Sequence, residues 1–211
     1  VYIADKKNYE WTGGGNDDIT VTWNIAKAEL TVTWGETSFT YDGNEQAPTY
    51  SVSGWKGNDG AMIGGEQSGN GTNYTLTLEG ARKDAGDGTA TLSLGGNEDN
   101  YTLKDTDESA NKAVSVGFTI APKEITLAWV ESDGWTTDGV ISHTYTAAAQ
   151  APDVTTDDFA EADRGAKVTV AEQSKGTNVG TYDGLTFVIS GANAGNYTLV
   201  TVSYTHLTLP T

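Results

Sequence analysis

Ile25-Ala26-Lys27-Ala28-Glu29-Leu30-Thr31-Val32-Thr33-Trp34 returns, 95 residues on, as Ile120-Ala121-Pro122-Lys123-Glu124-Ile125-Thr126-Leu127-Ala128-Trp129. Within each copy Leu or Ile, Val or Leu, and Trp alternate with Thr, Glu or Ala, the two-residue period of a strand with one buried face. A second pair repeats at nearly the same distance: Asn100-Tyr101-Thr102-Leu103 and Asn196-Tyr197-Thr198-Leu199, 96 residues apart. A period of about one small domain means an array of like modules. Such arrays usually space, display or bind.

The same alternation recurs along the chain. Tyr74, Leu76 and Leu78 share one face, as do Leu92 and Leu94. Val114, Val116, Phe118 and Ile120 form another such row, and Leu185, Phe187 and Ile189 another. Thr fills many outward positions, which suits an exposed pleated surface. Gly, Asn and Asp gather between the runs, for example at Thr12-Gly13-Gly14-Gly15-Asn16-Asp17, and read as turns. The one helical candidate is Asp157–Asp163, opposite the glycine-rich Gly54–Gly60 of the first copy. The predicted fold is all-β: tandem small antiparallel β modules, an Ig-like sandwich or a related small all-β fold, with essentially no helix.

The repeat arithmetic divides the 211 residues. Residues 26–121 read as a complete module. Residues 122–201 read as a second module without its closing strand. Residues 1–25 read as the last strands of a preceding module, because Ile19-Thr20-Val21-Thr22-Trp23-Asn24-Ile25 aligns with Val114–Ile120 at the same shift of 95. Residues 202–211 resemble one translated reading frame of a sequencing adapter and are expected to be foreign to the fold. Residues 1–24 and this tail are expected to be the most weakly held parts, since a hairpin alone is marginal.

Composition narrows the chemistry. Acidic residues number 29 against 12 basic ones, a net charge of −17. A phosphate backbone would be repelled, so nucleic acid is not an expected partner. No cysteine is present, which excludes disulfides and thiolate metal sites. No apolar run approaches the ~20 residues that span a bilayer as a helix, so direct membrane insertion is not expected. His143 is the one histidine outside the tail, and it sits at an ordinary strand start, so a Ser-His-Asp arrangement has a single available base. Asp17-Asp18, Asp105–Glu108 and Asp157-Asp158 offer hard oxygen ligands, but none has the glycine-punctuated loop that calcium uses. The expected catalytic, cofactor and metal sets are therefore empty, and no enzyme is expected. Of the six tryptophans, Trp23, Trp34 and Trp129 alternate with apolar neighbours and are expected in cores. Trp55 and Trp135 sit among Gly, Asp and Lys and are the candidate ligand-stacking residues; covering a core end is the competing role.

A further shared motif carries a family resemblance. Tyr41-Asp42-Gly43-Asn44-Glu45-Gln46-Ala47-Pro48 matches Tyr145-Thr146-Ala147-Ala148-Ala149-Gln150-Ala151-Pro152. Ala85–Thr89 is echoed by Val179–Tyr182. With the Asn-Tyr-Thr strand and the Phe118–Lys123 junction, residues 26–201 resemble the mostly β-grasp (MBG) and YDG-type repeats of large bacterial surface proteins. The resemblance implies extracellular, cell-surface tandem modules of an adhesin arm or stalk. Their partners would be neighbouring modules of the same chain and a host or surface glycan or protein. The alternative function is a carbohydrate-binding module using the loop tryptophans. The second copy departs from the pattern at Thr146-Ala147, where Asp-Gly would stand. Tyr41 and Tyr145 are expected to pack, with their hydroxyls bonded to backbone.

Overall fold

The computed structural model describes residues 1–57, 59, 74–96, 100–104, 110–130 and 141–200. Trp135, Asn73, Asp105–Glu108 and the tail 202–211 lie outside the described residues. The fold is all-β, with no helix of seven or more residues among the described residues. The Asp157–Asp163 stretch contributes only a three-residue 3-10 turn, Glu161–Asp163.

The first unit holds β1 (Ala28–Trp34), β2 (Ser38–Thr40), β3 (Tyr50–Ser53), β4 (Tyr74–Glu79), β5 (Gly86–Gly96), β6 (Tyr101–Lys104), β7 (Ala110–Asn111) and β8 (Ala113–Ala121). They form two four-stranded sheets, ordered β3-β1-β6-β7 and β2-β8-β5-β4. The inward residues of both sheets meet in one cluster: Leu30, Val32, Tyr101 and Leu103 from the first, Tyr74, Leu76, Leu92, Leu94 and Val114 from the second. This is sandwich packing, with the two inner faces interdigitated. Each buried Leu or Val contributes about 1.5–3 kcal/mol of transfer free energy. Gly88 stands opposite Phe118 in the β5–β8 register, and a Cβ there would lie 2.6 Å from the Phe118 ring. Its missing side chain leaves room for the far end of the ring over the strand.

The second unit repeats part of this plan with β9 (Lys123–Ile125), β10 (Ala128–Val130), β11 (Asp153–Thr155), β12 (Lys167–Val170), β13 (Phe187–Ser190) and β14 (Tyr197–Leu199). The registers match those of the first unit. β1 pairs with β6 in parallel, Ala28 beside Tyr101 and Leu30 beside Leu103. β9 pairs with β14 in parallel, Lys123 beside Tyr197 and Ile125 beside Leu199. Trp34 faces Tyr50, and Trp129 faces Val154. The sheets are mixed, because β1–β6, β2–β8 and β9–β14 are parallel. A parallel pair needs a long crossover. β1 and β6 have theirs, since the chain visits the opposite sheet through β4 and β5 between them.

Trp23 departs from its expected core position. It is 76% exposed, and Ile19, Val21 and Ile25 beside it are exposed as well. Residues 19–25 form no strand, and none of the described residues supplies a sheet beneath their alternating apolar face. Among the described residues, those of 1–25 hydrogen-bond only with one another, as in the pairing of Val1 with Ile19 and the Trp11 indole donating to the Asp17 carbonyl.

The turn after Tyr145 keeps the shape of its glycine-containing counterpart. Gly43 has φ +86°, and Ala147, 104 residues later, has φ +62°. Left-handed backbone costs a residue with a Cβ about 1–2 kcal/mol. Ala147→Gly is therefore expected to raise stability by about 0.5–1 kcal/mol after the added freedom of the unfolded glycine is counted, readable as a higher urea midpoint at unchanged slope.

Candidate functional site

The two buried polar residues among those described, Asp163 and Asn196, both lie where the units meet. Asp163 is 7% exposed. Its Oδ2 accepts hydrogen bonds from the Tyr41 and Tyr197 hydroxyls, each at 2.6 Å, and its Oδ1 accepts one from Asn193 Nδ2 at 2.5 Å. Tyr41 belongs to the first unit, and the other three residues belong to the second. Asn196 adds a second crossing. Its Oδ1 accepts from the Ala85 backbone N–H, and its Nδ2 donates to Asp84 Oδ1, both at 2.9 Å.

An apolar layer surrounds these bonds. Tyr41, Ala90, Phe118 and Ile120 from the first unit pack in one cluster with Ile125, Leu127, Ala160, Val168 and Tyr197 from the second. The Tyr41 and Tyr197 rings meet edge to face at 5.3 Å, and Phe159 meets Tyr197 the same way at 4.9 Å. Edge-to-face pairs add about 0.5–1.5 kcal/mol beyond area burial. Gly43 brings the first unit's turn close enough that a Cβ would sit 3.0 Å from Ala160 Cβ. The Tyr41 hydroxyl thus bonds a carboxylate of the next unit, not backbone as expected, and Tyr145 is 56% exposed and belongs to neither buried cluster.

Burial pushes the Asp163 carboxyl up. The hydrogen bonds from Tyr197, Tyr41 and Asn193 and the nearby Lys83 charge outweigh it and hold the group below its usual range. Tyr41 is pushed up to about 12, first by burial and then by donating to Asp163. Tyr197 rises for the same two reasons. A depressed carboxyl stabilises the fold above about pH 4 and stops doing so as pH falls through its folded value. A raised phenol stabilises below about pH 10 and stops doing so as pH rises through its folded value. The joint is therefore expected to hold between these limits and to open as pH approaches 12, where phenolate absorbance should rise together with loss of tryptophan ellipticity. Tyr41→Phe should remove one of the late-ionising phenols.

Trp55 is half-buried and covers the far end of the first sandwich. Its ring lies 5.3 Å from Tyr74 and 5.1 Å from Tyr101. The arrangement around it is that of the joint. The Lys56 N–H donates to the Tyr101 hydroxyl at 3.0 Å, and that hydroxyl donates to Asp59 Oδ2 at 2.7 Å. In the second unit the Ala160 N–H donates to the Tyr197 hydroxyl at 3.0 Å, and that hydroxyl donates to Asp163. Trp55 and Phe159, Lys56 and Ala160, and Asp59 and Asp163 are each 104 residues apart. The two connections that differ most in composition thus do the same structural work. The signal was an aromatic residue four places before an Asp in both.

His143 lies half-buried, its Nδ1 2.7 Å from the Thr144 carbonyl, and helps line a shallow cleft of about 400 Å³ with Gln150, Asp153 and Lys175. Among the described residues no group of three or more His, Cys, Asp or Glu is placed to hold a metal ion, and no helix is long and apolar enough to cross a membrane. Comparisons with protein-family models, with curated proteins and with solved structures find no match.

Proposed function

We propose that the chain serves as non-catalytic structural modules of a bacterial cell-surface protein, working outside the cell as part of a stalk or adhesin arm. The observation that carries this reading is the Asp163 joint. An arm must transmit orientation from one module to the next. A buried carboxylate held by one tyrosine from each unit fixes both the distance and the rotation between them, since its hydrogen bonds are directional. The residues that build the joint stand at repeat positions, so the same lock can recur along an array. The resemblance to mostly β-grasp and YDG-type repeats supplies the surface location and the class of partner, a host or surface glycan or protein engaged elsewhere on the arm.

The absence of cysteine makes the test clean, because engineered cysteines are the only labels. Spin labels at Thr77 and Thr169, on outward strand positions of the two units, should give one narrow distance distribution. A broad distribution would remove the arm reading. Sugar recognition is checked in parallel: a glycan array should show no specific binding. A sugar bound by the parent chain and lost in Trp55→Ala or Trp135→Ala would favour the carbohydrate-binding reading instead.

A further inference from the structure

We infer that two copies of this chain pair through residues 17–27, the two segments running antiparallel as strands with Thr22 opposite Thr22. The inference rests on this segment alone and stands whether or not the chain is a surface arm.

Ile19-Thr20-Val21-Thr22-Trp23-Asn24-Ile25 has the composition of a strand. It holds no charged residue, no Gly and no Pro, and it is rich in β-branched residues. All seven keep a negative φ. Its apolar members Ile19, Val21, Trp23 and Ile25 are 45%, 72%, 76% and 83% exposed. Its main chain is open along one edge. The Ile19 N–H donates to the Val1 carbonyl at 3.1 Å, and the Ile19 carbonyl accepts from the Val1 amino group at 3.0 Å. Main-chain groups of successive strand residues point to opposite edges. Val1 therefore stands on the edge served by the odd-numbered residues, and Thr20, Thr22 and Asn24 serve the other. Among the described residues none hydrogen-bonds the main chain of residues 20–25. An edge of this kind, bare and apolar on one face, is a template for another strand.

The segment is complementary to itself when reversed. With Thr22 opposite Thr22, Ile19 meets Ile25 and Val21 meets Trp23 on one face, while Thr20 meets Asn24 on the other. Aromatic with β-branched residues and Thr with Thr are favourable cross-strand pairs. The charged ends decide the direction. In the antiparallel register Asp17 meets Lys27 at both ends, an opposite-charge pair. A parallel in-register stack sets Asp17-Asp18 on Asp17-Asp18, and like charges directly opposite destabilise. The open edge agrees with the antiparallel register. Thr22 with Thr22 and Thr20 with Asn24 become the hydrogen-bonded pairs. Val21 with Trp23 and Ile19 with Ile25 become the non-hydrogen-bonded pairs, whose side chains lie closer. A two-fold axis passes between the two Thr22 residues, so the contact is isologous and closes as a dimer.

A two-stranded ribbon is marginal by itself, and a net charge of −17 on each chain opposes contact. The test is therefore run at about 1 M salt, where the screening length is about 3 Å. By sedimentation equilibrium the weight-average mass of the full chain should rise with concentration toward that of two chains. In Val21→Asp with Trp23→Asp it should stay at that of one, with an unchanged circular dichroism spectrum, since both residues are exposed in the single chain. Single cysteines read the register, the chain having none of its own. Cα atoms of a hydrogen-bonded pair lie about 5.5 Å apart, within the roughly 4.4–6.8 Å that a disulfide spans. Thr22→Cys should form a disulfide dimer about tenfold faster than Thr33→Cys, an exposed control on β1, because pairing raises the local thiol concentration. Thr20→Cys alone should link no faster than the control, and mixed with Asn24→Cys it should link faster. A mass independent of concentration, growth beyond two chains, an equal rise in the Asp variant, or equal linking at 20, 22 and 24 alone, as a parallel stack gives, would each overturn the inference.

Discussion

Asp163→Ala is expected to lower the unfolding free energy by about 3 kcal/mol or more. The substitution leaves the Tyr41 and Tyr197 hydroxyls buried without an acceptor, and each unsatisfied group costs about 1–3 kcal/mol. It also frees the Asn193 amide that now bonds Oδ1. Asp163→Asn keeps the volume and one acceptor but loses the charge, and should cost about half as much, because hydrogen bonds to a charged partner are roughly twice as strong as neutral ones. Urea unfolding followed by tryptophan fluorescence measures both. The loss should appear first as uncoupling: the spin-label distance between units should broaden at urea concentrations that leave the first sandwich intact, because that core does not include Asp163. Unfolding midpoints within error of the parent would show that the buried carboxylate is not what holds the units together.

The second large effect is a contrast between two residues that the sequence presents as equivalents. Tyr41→Ala should cost about 3–5 kcal/mol, the range for emptying a buried aromatic position, since the ring is 1% exposed and contacts Tyr197 edge to face. Tyr145→Ala should fall within about 0.5 kcal/mol of the parent, as exposed positions do. Tyr41→Phe isolates the hydroxyl and should cost about 1.5–3 kcal/mol, the worth of a bond to a charged acceptor. Equal costs at positions 41 and 145 in the single chain would mean that Tyr145 is buried in solution and that the two tyrosines are used alike.

Much of the fold was legible because strand patterning is local. Leu30, Val32, Leu76, Leu92, Leu94, Val114, Phe118 and Ile120 were assigned inward faces from alternation alone, and all are buried. Trp23 shows where that logic stops. Its neighbours alternate as well as any, yet a face is buried only when another sheet lies against it, and for residues 19–25 none of the described residues supplies one. Trp55 was assigned from its polar surroundings in sequence, but Tyr74 and Tyr101, which flank it, are 19 and 46 residues away.

The repeat of 95 residues, the all-β class and the inward faces of most strands follow from the order of residues, since a two-residue period and a recurring motif need no knowledge of what packs on them. The joint does not follow in that way. Asp163 is one of 29 acidic residues, and Phe159 four places before it marks a shared connection without showing that the carboxylate is buried. Its partner Tyr41 lies 122 residues away and carries the same Gln-Ala-Pro spacing as Tyr145, which is 56% exposed. Whether a tyrosine is a lock or an exposed ring depends on what the chain brings across from it. Only the packing of the second unit against the first puts a desolvated carboxylate there, where its hydrogen bonds outweigh the cost of burying the charge.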